Sequence, residues 1–90
     1  VVFDVVKTNK FGRRQQRQLK LTKYHIVNIK GGSQVTRLHK YNTLQHAYLV
    51  RPTTFVLEFF DAVASPPLFY ESLVAGQIVQ QISTRVQVRS

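Results

Sequence analysis

The sequence predicts a mainly β domain, an antiparallel barrel or sandwich of six or seven strands capped by one C-terminal α-helix. Three observations predict it. Up to residue 60, apolar and polar residues alternate within short runs rich in Val, Ile, Thr and Phe, the pattern of strands with one buried face. Turn-forming groups punctuate these runs at TNKFG, GGS and RPTT. From Leu73 the period changes, with Val74, Ile78, Ile82 and Val86 spaced four apart and Val79 beside them, which is the apolar stripe of a helix docking on a sheet.

Taken in order, the first strand covers Val2 to Lys7 and ends at TNKFG. The second covers Gln16 to Thr22, where Arg17, Leu19 and Leu21 point one way and Gln16, Gln18, Lys20 and Thr22 the other. Tyr24 to Lys30 follows after a tight link, and the two glycines of GGS suit the positive φ angles of a hairpin turn. In a fourth, weaker strand Val35, Arg37 and His39 alternate with Thr36, Leu38 and Lys40. A fifth spans Gln45 to Val50, and Thr54 to Phe60 is the most hydrophobic. DAVASPP is a loop, because adjacent prolines fit neither a helix interior nor a central strand. LFYES opens the helix or forms a seventh strand, and Ser72 is the candidate N-cap. Leu19, Leu21, Phe55, Leu57, Phe59, Ile78 and Ile82 are the expected core.

Ninety residues suffice for one core and leave no room for a separate catalytic module. The single domain, residues 1–90, is expected to be a piece of a longer protein, since it begins at Val1. With no cysteine there is no disulfide framework and no thiolate chemistry. No apolar run approaches the roughly 20 residues of a membrane-spanning helix.

The charge is one-sided. Residues 1–40 carry Lys7, Lys10, Arg13, Arg14, Arg17, Lys20, Lys23, Lys30, Arg37 and Lys40 against Asp4 alone. In residues 41–90, Arg51, Arg85 and Arg89 balance Glu58, Asp61 and Glu71. The net charge of +9 therefore belongs to the first 40 residues. Such segregation predicts a polyanionic partner, because solubility alone does not require it. A hairpin that gathers Lys7, Lys10, Arg13, Arg14 and Arg17 around one open end supplies guanidinium forks, ammonium groups and turn N–H donors, the groups that hold phosphomonoesters. Lys20, Lys23, Lys30, Arg37 and Lys40 form a broader electrostatic surface. Phe11, between Lys10 and Gly12 at the loop tip, is the candidate to enter a lipid interface.

Other chemistries lack their residues. His25, His39 and His46 are spaced fourteen and seven apart, which matches no zinc pattern, so no metal is expected. No catalytic residues are expected either: the acids and histidines are scattered, no Gly-x-Ser-x-Gly occurs, and IKGGS lacks the helix of a phosphate loop. No cofactor is implied.

The segment VVKTNKFGRRQQRQLKLT resembles the opening hairpin of pleckstrin-homology (PH)-like domains in class I myosin tails and in endosomal DnaJ proteins, with a Lys on strand one, a basic loop and an Arg-x-Leu-x-Leu-Thr second strand. FVLEFF and LFYES resemble the sixth and seventh strands before the helix. The resemblance implies a strongly bent sheet with the helix plugging one open end. It also implies that Lys7 and Arg17 contact a phosphoinositide head group. The position two before Arg17, basic in phosphoinositide-binding members, is Gln15 here, with Arg13 and Arg14 as substitutes from the loop, and the Trp usual in the helix is missing.

These readings converge on a non-enzymatic, monomeric module of a cytoplasmic, peripheral membrane protein that binds phosphoinositides or an anionic membrane. The alternative is a protein-interaction module that takes a peptide or small GTPase along a sheet edge, here Tyr48 to Pro52. Nucleic acid ranks third, because Phe11 is the one aromatic residue between positions 7 and 23 to stack on a base.

Overall fold

A computed structural model describes the backbone of residues 1–89 and the side chains of residues 1–86. The chain forms β1 (Val2–Thr8), β2 (Arg14–Leu21), β3 (His25–Lys30), β4 (Gln34–Lys40), a 3-10 turn over Tyr41–Thr43, β5 (Leu44–Arg51), β6 (Thr54–Phe59), β7 (Leu68–Glu71) and α1 (Ala75–Arg89). The seven strands make one antiparallel sheet in the order β4-β3-β2-β1-β7-β6-β5. This is the architecture expected from the alternation, with LFYES resolved as a strand. Leu68 and Tyr70 are buried and their strand pairs with β1 on one side and β6 on the other.

The sheet is not closed, since β4 and β5 remain its edges. It is nevertheless strongly curled, as two contacts across the interior show. Tyr70 on β7 donates its hydroxyl to Asn28 Oδ1 on β3, with β2 and β1 between them in the order. His39 on the edge strand β4 stacks on Phe59 of β6 with ring centroids 4.2 Å apart. Right-handed strand twist accumulates over seven strands into this coil. The helix packs on β5, β6 and the 3-10 turn. Its Ala75, Ile78 and Ile82 join Val5, Leu19, Leu21, Phe55, Leu57 and Phe59 in one core, with Val79 and Val86 at the margin. All seven residues expected in the core are there. Ser72 stands three residues before the first helical residue, accepting the Val74 N–H on its hydroxyl and the Ala75 N–H on its carbonyl.

Two local features bear on the site. Gly31 and Gly32 take φ values of 64° and 82° in the β3–β4 turn, a conformation that a side chain disfavours. Beside that turn, a register shift between Asn28 and Ile29 pairs them with Arg37 and Val35 and leaves Thr36 as the extra residue. The alternation puts Val35 and Arg37 on one face. The bulge reverses this, because one inserted residue resets the side-chain period, and Val35 lies on the outer face with its partner Ile29 and with Gln18.

Candidate anion-binding site

Antiparallel pairing decides which charges meet. Val5 pairs with Arg17 and Lys7 pairs with both Gln15 and Tyr70. Directly paired residues share a sheet face, so Lys7, Gln15 and Arg17 lie on the inner face with Val5, Leu19 and Tyr70. Arg37 reaches the same face from β4, opposite Asn28, which in turn opposes Leu19. The core fills this face at the level of Leu19 and Leu21. Toward the ends of β1 and β3 it opens into a mouth.

Three connections surround that mouth. The β1–β2 and β3–β4 loops lie at the same end because β2 and β3 are antiparallel neighbours. The β6–β7 loop joins them because Phe69, near the start of β7, pairs with Thr8 at the end of β1. A cavity of about 350 Å³ lies between, lined by Lys7, Lys10, Arg37 and Phe11, by Pro66 and Pro67 of the β6–β7 loop and by Leu68 at the start of β7. Among the described residues no carboxylate lines it.

The cations of the mouth act on one another. Burial lowers the Lys7 pKa, and the nearby charges of Arg37 and then Arg17 lower it further. His39, two residues beyond Arg37, is likewise held below its usual value, first by burial and then by Arg37 and Lys7. Among the described residues the Asn28 Nδ2 and His39 Nε2 atoms are buried without a hydrogen-bond partner. The inner face is thus polar and positive one row below the rim. Burial also pushes the Tyr70 hydroxyl well above its ordinary pKa, so it stays a donor to Asn28.

The β1–β2 loop is held by Asn9. Its Oδ1 accepts the N–H groups of Phe11 and Arg13, both at 2.9 Å, and the Asn9 N–H donates to the Arg13 carbonyl. Phe11 is thereby fixed at the tip and is 79% exposed, with the Lys10 ammonium 5.2 Å from its ring centroid. Arg13 is exposed on the same loop. Arg14 begins β2 on the outer face, where its Nη1 donates to Glu71 Oε1 at 2.6 Å.

The other basic residues are distributed by the topology. Lys30 ends β3 beside the mouth. Lys20 lies on the outer face between Val2 and Val27. Lys23, over the ring of Tyr24, and Lys40, paired with His25, lie at the opposite end of the first four strands. Lys7, Lys10, Arg17 and Arg37 are therefore the cations that the fold gathers. Arg37, Asn28, His39 and Tyr70 join the site only through register and curl. The one signal of this in the sequence was the alternation that put Arg37 and His39 on a common face.

A curled seven-stranded antiparallel sheet plugged by a C-terminal helix, with a loop-lined mouth, is the PH-like fold, and the chain has that fold. Solved structures match it, among them the two that follow. The N-terminal PH domain of human ARAP2 aligns over 100% of this chain and 81% of its own, with a TM-score of 0.77 at 8% sequence identity. The FERM and C-terminal domain complex of Drosophila Merlin aligns over 97% of this chain, with a TM-score of 0.74 at 13% identity, and the match spans 29% of the Merlin chain. No family model matches the sequence, and no curated protein matches it. The likeness is one of fold alone, and neither structure bears on the resemblance to the myosin-tail and DnaJ members.

Proposed function

We propose that the domain is a non-catalytic membrane-targeting module that takes the phosphorylated head group of a phosphoinositide, or another anionic lipid head group, at the mouth of the curled sheet. The observation that carries this reading is the cavity itself, lined by Lys7, Lys10 and Arg37 and, among the described residues, by no acid. Arg17 adds its charge from the same inner face. Like charges held together by a fold cost free energy that a bound polyanion relieves, and guanidinium and ammonium groups are the donors phosphate oxygens accept. Arg13 supplements the site from the loop. Arg14 contributes long-range field, since its guanidinium is paired with Glu71. In this role the domain acts at the cytoplasmic surface of a membrane as part of a peripheral protein.

Co-sedimentation with phosphatidylserine vesicles, with and without phosphoinositides, at low and physiological salt, tests the reading. Phosphoinositide-dependent binding that survives physiological salt and is lost in the Lys7→Met/Arg37→Gln double variant supports a head-group pocket. Binding to any anionic vesicle that fades with salt indicates diffuse attraction, because exposed charges are screened over about 8 Å at physiological ionic strength. No binding in either condition overturns the reading.

A second reading, a protein-interaction module, is favoured by β5. It is a sheet edge whose Tyr48, Leu49 and Val50 are exposed just before Pro52, and an extended peptide can add to such an edge.

A further inference from the structure

The most exposed large apolar side chain of the described residues is Val63, 95% accessible in the loop between β6 and β7. A lone exposed valine means little. This one, however, is displayed in the same manner as Phe11. Asp61 Oδ1 accepts the Ala64 N–H at 3.1 Å and the Asp61 carbonyl accepts the Ser65 N–H at 2.8 Å, so a hydrogen-bonded turn over residues 61–65 holds Val63 outward. In the opposite loop Asn9 does the same for Phe11. The two loops meet, because Pro66 and Pro67 line the basic cavity together with Phe11, Lys7, Lys10 and Arg37.

We propose that the β1–β2 and β6–β7 loops form a two-pronged lipid-entering surface, with Phe11 and Val63 passing into the acyl-chain boundary on either side of the basic mouth. The inference rests on the lipid-binding reading above and adds to it a second anchor and a fixed docking orientation. The charge argues for a bilayer as the occupant. The cations between the prongs sit where anionic head groups lie when the apolar tips are immersed, and the Lys10 stem can run back along Phe11 to keep its ammonium at head-group level. Asp61, the one acid of the β6–β7 loop, has a carboxylate oxygen turned onto the Ala64 N–H. Val63 lies in the same loop as the prolines that wall the mouth, and two contact points set a tilt that one cannot.

The chain contains no tryptophan, so Phe11→Trp, Val63→Trp and Leu73→Trp each provide a single fluorophore. Leu73 is the matched control, 94% exposed but beyond the other end of β7. The probe is a phosphatidylserine vesicle containing a phosphatidylinositol bisphosphate and brominated acyl chains. The expected result is blue-shifted, quenched emission for the first two variants and unchanged emission for Leu73→Trp. In addition, Val63→Asp should weaken vesicle binding about tenfold, the order expected for losing one immersed apolar side chain, and leave binding of a soluble inositol phosphate unchanged. Vesicle binding with unshifted Val63→Trp emission overturns the two-pronged surface and leaves the head-group site standing. Equal quenching at position 73 overturns the fixed orientation. Absence of vesicle binding by all variants overturns both readings together.

Discussion

Arg14 and Glu71, 57 residues apart, are joined at 2.6 Å on the outer face of the sheet. The pair ties β2 to β7 across β1, because Arg14 opposes Thr8 and Glu71 opposes Val6. It also takes one of the five hairpin cations away from the inner face. Lys7 on β1 and Arg17 on β2 point to the other side of the sheet.

The consequence for binding is an ordering. Near an anionic leaflet each well-placed cation contributes about 1 kcal/mol, roughly fivefold in affinity. Arg37→Gln should therefore weaken vesicle binding at physiological salt by about that factor or more, given its place in the cavity wall. Arg14→Gln should change it less than Arg37→Gln, because the guanidinium is already engaged. Comparing the two variants in one titration checks this, and an equal or larger loss for Arg14→Gln would remove the inner-face assignment.

Lys7 predicts an opposition between stability and function. Burial and the charges of Arg37 and Arg17 disfavour its protonated form in the folded state. The resulting cost is present in full below the lowered pKa and fades as pH rises toward the ordinary value of 10.5. At neutral pH, Lys7→Met keeps the stem and removes the charge. The ligand-free variant should melt at a higher temperature than the parent while losing vesicle affinity. A lower melting temperature would mean that Lys7 has a stabilising partner.

His39 predicts an acid limb. Its neutral form is favoured by burial and by the facing charges of Arg37 and Lys7, and its ring lies flat on Phe59. The stabilising contribution is therefore whole above the ordinary imidazole value of 6.5 and is lost as pH falls through the lowered folded-state pKa. Thermal melts between pH 7.5 and 5 should show a decline that His39→Gln flattens. An identical slope in that variant would place the proton uptake elsewhere.

The Tyr70–Asn28 hydrogen bond predicts a cost without a change in charge. Asn28 is 1% exposed and already has one unpartnered amide atom. Tyr70→Phe leaves its Oδ1 unpaired as well, a loss of about 1–3 kcal/mol. Adding Asn28→Leu removes the orphaned amide and should recover much of that loss. Denaturant unfolding of the single and double variants measures both steps, and an additive double variant would contradict the coupling.

The sequence by itself determined the elements and most of the core. Period-two alternation placed Leu19 and Leu21 inward with Arg17, the four-residue spacing of Ile78 and Ile82 marked the helix, and GGS marked a left-handed turn. These are local properties, set by backbone geometry and by which side chains avoid water. The concentration of charge before residue 41 was equally legible, since it needs only counting. What tertiary structure alone decided was which of those charges share a space. A bulge at Thr36 moved Val35 off the face of Arg37, and the curl of the sheet carried Arg37 from β4 to the wall of a cavity whose far side is Pro66, Pro67 and Leu68. Alternation states that two residues lie on one face of a strand. It carries no information about the register of that strand against its neighbours, or about how far twist accumulates across seven of them. Those two quantities separate Arg14 from Arg17, although both lie on the same strand.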